Sequence, residues 1–178
     1  MTTFTRRGFL AALTAASPLA AARTLDSWSI DAPRALSFAH LHTGERPSLE
    51  YYCDGRYQPD ALAAVNHLMR DFRTGEVGTM DPALLDLLHR LSGLTGTRRP
   101  FEIISGYRSP ATNEALRRRS GGVASHSLHM KGQAIDIRLA DVPLAQLRDA
   151  ALSMRGGGVG YYLQSDFVHV DTGRVRAW

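Results

Sequence analysis

Cysteine is nearly absent: Cys53 is the only one in 178 residues, so no disulfide can form within the chain. A lone thiol beside Tyr51-Tyr52 reads as a small buried apolar side chain. Long apolar runs are missing too. Gly8 to Ser17 falls well short of the roughly 20 residues that cross a bilayer as a helix, and no later uncharged segment approaches that length. Basic residues are scattered and do not form a stripe interleaved with aromatics, which argues against a nucleic-acid footprint. Their one cluster, Arg117-Arg118-Arg119, reads as the solvated C-terminal end of a helix, where positive charge is favourable, in preference to a contact with an anionic polymer. Gly156-Gly157-Gly158 lacks the Lys-Ser/Thr of a phosphate loop and reads as a turn. Ser127 has no base at recognisable spacing, so a serine hydrolase is not supported there. What is present is an ordinary globular balance, 44% hydrophobic and 21% charged, at a length that suits one domain with its own core.

The N-terminus supplies the compartment. Met1 to Arg7 is short and basic, Gly8 to Ser17 is apolar, and Ala20-Ala21-Ala22 offers the small residues at which export signals are cut, so residues 1–22 read as a signal peptide. Within it, Thr5-Arg6-Arg7-Gly8-Phe9-Leu10 resembles the twin-arginine export signal. That resemblance implies the twin-arginine machinery as a partner, export of an already folded domain, and a periplasmic location. Removing residues 1–22 takes away Arg6 and Arg7 and no acid, so the net charge falls from +4 to +2.

Residues 23–178 are expected as one domain. Residues 23 to 58 read as a loop-rich beginning with short extended pieces, including a brief alternation from Ala35 to His42. A first helix is expected over Pro59 to Arg73, where Leu62, Val65, Leu68, Met69 and Phe72 recur at three- and four-residue steps before Gly75. Asp81-Pro82 caps a second, with a wide leucine stripe ending at Gly93. Ser109-Pro110 starts a third by the same logic, and Pro143 to Met154 forms a fourth. Phe101 to Ser105 and Ala134 to Leu139 read as strands, and Val159 to Asp171 as a final strand or hairpin. This order suggests an α+β fold: a compact domain in which helices pack against a small antiparallel sheet.

Chemistry concentrates between Ser105 and Asp171. In Ala134-Ile135-Asp136-Ile137-Arg138-Leu139 the alternation puts the aliphatic residues on one face and Asp136 with Arg138 on the other. In Phe167-Val168-His169-Val170-Asp171, Phe167, His169 and Asp171 share a face. If the two strands are neighbours, Asp136 meets His169, and a turn at Gly132 can bring His129 back over the carboxylate. Two imidazoles, one carboxylate and an open fourth position are the ligand set of a hydrolytic zinc site.

Ser127-Leu128-His129-Met130-Lys131-Gly132-Gln133-Ala134-Ile135-Asp136 resembles the S-x-H-x-x-G-x-A-x-D signature of zinc D-Ala-D-Ala carboxypeptidases and murein endopeptidases, the superfamily that includes VanX-type and VanY-type dipeptidases. Ser105-Gly106-Tyr107-Arg108-Ser109 followed by Asn113 resembles its upstream segment, and Phe167-Val168-His169-Val170-Asp171 its second histidine motif. The likeness covers about residues 38–178 and, with the export signal, is nearest to the exported murein endopeptidases. It implies Zn2+ held by His129, Asp136 and His169, with Arg108 near the substrate carbonyl or carboxylate. The expected activity is hydrolysis of a peptidoglycan cross-link by a periplasmic monomer. The alternatives are a D-Ala-D-Ala carboxypeptidase, or an inactive relative that binds peptidoglycan. The scissile bond stays open between 4-3 and 3-3 cross-links and a terminal D-Ala.

The resemblance and the alternation disagree about the general base. Family spacing places a glutamate three residues before the second histidine, where this chain has the shorter Asp166. Strand alternation favours Asp171, which shares the His169 face and could instead orient a ligand. Asp166 is preferred. Ser127 and Tyr161 are expected to bind substrate, with Tyr161-Tyr162 read as a cleft wall. His126 reads as an exposed loop residue, and His40 with His42 as a structural edge, not a second metal pair.

Overall fold

The computed structural model describes residues 32–120 and 122–178; the expected signal peptide, residues 1–22, lies outside the described residues. The stretch read as loop-rich is strand in large part: β1 (Arg34–His40), β2 (Ser48–Cys53) and β3 (Arg56–Tyr57) form an antiparallel meander. Alternation in β1 is brief because Phe38, Ala39 and His40 are buried in succession, as in a strand covered on both faces. The β1–β2 turn is closed by the buried His40 imidazole, whose Nδ1 accepts from the backbone N–H groups of His42 and Thr43 at 3.2 and 3.4 Å. His42 stacks on Phe72 with ring centroids 3.9 Å apart. These contacts account for the pair structurally.

Helix α1 (Pro59–Leu68) ends before the predicted Arg73. Phe72 keeps the helical period, but Asp71 turns the chain: the Gly75 N–H donates to its carbonyl at 2.7 Å, and its buried carboxylate accepts from the N–H and hydroxyl of Ser109 at 2.9 and 2.6 Å. A contact with a residue 38 positions away outweighs local periodicity here. Helix α2 (Pro82–Thr95) has the expected Asp81 cap, its carboxylate accepting from the Ala83 N–H. It runs through Gly93 and stops at Gly96, whose left-handed conformation (φ 67°) ends a helix at little cost for a glycine. Strand β4 (Phe101–Ser105) and helix α3 (Pro110–Arg119) follow, the latter capped by Ser109, whose hydroxyl accepts from the Thr112 N–H. Arg117 and Arg118 of α3 reach back to Glu114 at 3.0 and 3.8 Å. Then come β5 (Ala134–Arg138), α4 (Leu144–Met154), β6 (Gly158–Tyr162), β7 (Phe167–Asp171) and β8 (Arg176–Ala177).

The α+β class holds, but the sheet is neither small nor wholly antiparallel. Among the described residues eight strands run in the order β3-β2-β1-β4-β5-β7-β6-β8, with β1–β4 and β6–β8 parallel. The β1–β4 pairing requires a long crossover, supplied by α1 and α2. One face of the central strands is the core. Ile103, Ile135, Ile137 and Val168 are fully buried with Leu88 and Leu91 of α2 and Leu147 of α4. At about 1.5–3 kcal/mol for each large aliphatic side chain, this packing holds the central strands rigid. The other face carries Asp136, Arg138, His169 and Asp171.

Candidate metal centre

The register of the central strands builds the site. In the antiparallel β5–β7 pair, Asp136 lies directly opposite His169, while Ile137 and Val168 form the next pair on the core side. His129 arrives from a 3-10 turn, Leu128–Lys131, that ends at Gly132. Gly132 has φ 65°, and a Cβ there would run into the Thr79 carbonyl, so only glycine lets the chain double back from His129 into β5. Seven residues after His129 the chain delivers Asp136 to the same point.

Three donor atoms converge. Asp136 Oδ1 is 2.9 Å from His169 Nδ1 and 3.3 Å from His129 Nε2, and the two imidazole nitrogens are 3.2 Å apart. A tetrahedral ion with bonds of about 2.0–2.2 Å separates neighbouring ligand atoms by about 3.3–3.6 Å, so the three atoms fit one face of such a tetrahedron with slight spreading. All three residues are buried, and together they could hold a metal ion. Each imidazole is oriented from behind. The His129 Nδ1–H donates to the Gly106 carbonyl at 2.7 Å, and the His169 Nε2–H to Asp171 Oδ2 at 3.0 Å, which leaves the opposite nitrogens free to ligate.

The electrostatics agree with a cation site. Burial alone would push the Asp136 carboxyl up, but the adjoining His129 and His169 imidazoles hold it well below the usual carboxylate range. Burial would likewise push His169 down, yet hydrogen bonds to Asp136 and Asp171 reverse this and raise it to about 8. Negative charge is thus concentrated around the two imidazoles.

A cleft of about 440 Å³ opens beside these three residues, lined by Arg108, Ser120, residues 122–124, Ser127 and the aromatic residues Tyr162, Phe167 and Trp178. Arg108 is mostly buried: its Nη2 is 3.7 Å from Asp136 Oδ2, while its buried Nε has no partner among the described residues. Arg108 and Ser127 thus both line the cleft beside Asp136 and His129. His126 also lines the cleft, with its Nδ1 3.1 Å from the Ser125 hydroxyl.

Two other candidates are displaced. Tyr161 faces the core side, opposite Val168 and under the Arg148 guanidinium, which is centred 4.6 Å from its ring; alternation gives the cleft to Tyr162 instead. Asp166 sits just outside β7 with φ 54°, its exposed carboxylate 2.6 Å from Arg138 Nη1, in a separate depression with Glu102 and Arg138. The family spacing is matched, but the side chain is engaged elsewhere. Asp171 does share the His169 face, as alternation required, but it lies behind the imidazole. It is fully buried and accepts from His169, Arg176 and the N–H groups of Gly158 and Gly173. Sequence reasoning missed Trp178 and Phe167 as cleft residues. The sign available was the pair Gly158 and Gly160, which alternation places on the His169 face of β6.

Comparison with known proteins agrees with this geometry. A family model described as peptidoglycan L,D-endopeptidase MepK matches residues 29–178. The chain is 53% identical over 147 residues to the peptidoglycan L,D-endopeptidase MepK of Escherichia coli K12, covering 82% of this chain and 80% of the relative. The Shigella flexneri protein of the same name gives the same values, and the probable peptidoglycan L,D-endopeptidase MepK of Haemophilus influenzae is 48% identical over 82% of this chain and 79% of its own. With the converging His129, Asp136 and His169 and matches of this extent, the chain belongs to the MepK family of M15 peptidases.

Proposed function

We propose that this protein is a periplasmic, zinc-dependent peptidoglycan endopeptidase that hydrolyses the peptide bond between an L-centre and a D-centre of the wall peptide. The observation that carries the reading is the triangle of His129, Asp136 and His169 donor atoms, 2.9–3.3 Å on a side, at the wall of an open cleft. The relatives' name supplies the substrate and the type of bond. Export by the twin-arginine route rests on Arg6-Arg7 and their apolar flank.

His129 Nε2, Asp136 Oδ1 and His169 Nδ1 would hold the ion beside the cleft. Bound there, zinc would supply a Lewis acid for the scissile carbonyl and would bring the pKa of water to near neutrality. Arg108, whose Nε has no partner among the described residues, offers a largely buried, fixed positive charge to the carbonyl oxygen as it becomes anionic. Asp171 is a positioning residue: it holds the His169 ring by Nε2 so that Nδ1 faces the ion.

The test is digestion of purified sacculi by the protein lacking residues 1–22, with fragments identified by mass spectrometry. Cleavage of L,D cross-links, abolished by a chelator and restored by zinc, is the expected outcome. Release of terminal D-Ala with cross-links intact would instead support the carboxypeptidase reading, and chelator-resistant cleavage would remove the metal from the chemistry.

A further inference from the structure

We propose that Trp178, together with Tyr162 and Phe167, forms an aromatic wall that makes the cleft selective for a bond between centres of opposite hand; this rests on the endopeptidase reading above. The wall is built on bare backbone. Gly158, Gly160 and Tyr162 alternate onto the cleft face of β6, and Gly160 pairs with His169 across β6–β7. A Cβ at Gly160 would come within 2.7–2.8 Å of the Trp178 indole and the Tyr162 ring, and one at Gly158 would run into the Arg176 guanidinium. The two glycines thus clear a strip of sheet on which Arg176 and Trp178 lie.

Trp178 is fixed in that strip from several sides. Its backbone N–H donates to the Val159 carbonyl at 3.2 Å, and its carbonyl accepts from the Tyr161 N–H at 3.0 Å. The indole Nε1–H donates to the Tyr162 hydroxyl at 2.7 Å, and the Arg176 guanidinium is centred 4.8 Å from the ring. Tyr162 in turn stacks on Phe167 at 4.6 Å, so three rings continue one another along the cleft. The indole is 5.2 Å from the His169 ring, centroid to centroid, yet 50% exposed. An aromatic held this firmly beside a metal ligand, with half its surface still uncovered, is placed to be covered by substrate.

Its single flat wall has a stereochemical consequence. In an extended peptide of like-handed residues, consecutive side chains point to opposite faces. Inverting one of two neighbouring centres brings both side chains to the same face. A peptide running past the ligands can then lay the side chains on both sides of an L–D bond against the rings, whereas an L–L bond can lay only one.

The experiment compares two synthetic stem peptides that differ only in the hand of the residue after the scissile bond. For the zinc-loaded protein, kcat/KM should favour the L,D peptide. Trp178→Ala should lower kcat/KM for the L,D peptide by about 10–100-fold while changing the L,L value little, with zinc content unaltered; Trp178→Phe should retain most of the preference. Equal losses on both peptides, lost zinc, or an unchanged preference would overturn the proposal. A binding arm separates this from the enzymatic reading. In a Trp28→Phe background, Trp178 is the only indole, and its fluorescence should respond to the L,D peptide more than to the L,L peptide even if neither is cut. Cleavage of neither peptide with a selective fluorescence response would sink the endopeptidase reading and leave the wall standing. An identical response to both would sink the wall.

Discussion

Strand β7 is bounded by two aspartates, Asp166 just before it and Asp171 as its last residue, and their surroundings could hardly differ more. At the N-terminal end, Asp166 has a left-handed backbone and an exposed carboxylate on Arg138, which also binds Glu102 at 2.6 Å. At the other end, Asp171 is fully buried, and its two oxygens accept from His169, from Arg176 twice and from two backbone N–H groups. Burial by itself would raise the Asp171 carboxyl; these hydrogen bonds hold it well below the usual range, so it is an anion built into the fold. The same residue type, on either side of the same histidine, serves a surface ion pair at one end and the buried His169 imidazole at the other. Spacing from His169 places both residues, but what each can do is set by the partner its carboxylate meets.

The comparison presupposes that the centre of the strand, His169, is the residue served. His169→Ala is therefore expected to have the largest effect: the protein should lose most of its bound zinc, since two remaining ligands hold the ion weakly, and hydrolysis of cross-linked muropeptides should fall below detection. Metal analysis of the purified variant checks it. Full zinc occupancy would mean that neither end of β7 bears on a metal at all.

How much of this could be read from the residues depends on the range over which each feature is determined. The shared face of Asp136 and His169 was legible because strand alternation has a period of two and both strands are short. The Asp81 and Ser109 caps were legible because a capping side chain and the proline after it act within one turn. The end of α1 was not, since it depends on Asp71 reaching Ser109 across 38 positions. Nor was the β1–β4 pairing, which no local pattern announces. The general base shows the same division. Whether the strand begins at Phe167 decides where Asp166 points, and it does begin there, but the Arg138 that takes its carboxylate comes from β5.

A middle-sized effect is expected at the buried end. Asp171→Asn keeps the shape but removes the charge that holds the His169 ring and pairs with Arg176, so zinc affinity or turnover should fall by about 10–100-fold. Excess zinc should restore part of the rate, because a positioning residue acts through the ligand it orients. Zinc titration followed by kinetics at saturating metal separates the two contributions. A variant that binds zinc normally yet is inactive would show that Asp171 takes a proton in the reaction, and the contrast between the two ends would lose its basis.

The smallest effect is expected at the exposed end, where family spacing and observed contacts make opposite forecasts. As general base, Asp166 would contribute typically 10²–10⁴-fold, and Asp166→Asn would lose that factor with zinc retained. As the partner of Arg138, with 61% of its side chain exposed, it belongs to a class of ion pairs worth about 0–1 kcal/mol, which corresponds to at most about fivefold in a rate or a folding equilibrium. Arg138 also keeps Glu102 when Asp166 is neutralised, so the local charge balance is only partly disturbed. The expected result for Asp166→Asn is therefore normal zinc content, an unchanged melting temperature within a few degrees, and turnover within about fivefold of the parent. Arg138→Gln adds a discriminating measurement. If Asp166 is only a rim residue, freeing it should leave turnover nearly unchanged. If it leaves Arg138 to accept a proton when substrate binds, freeing it should raise turnover, and Asp166→Asn should abolish that gain along with the parent activity. A loss of 10²-fold or more in Asp166→Asn with zinc in place would mean that the Arg138 pair breaks during the catalytic cycle.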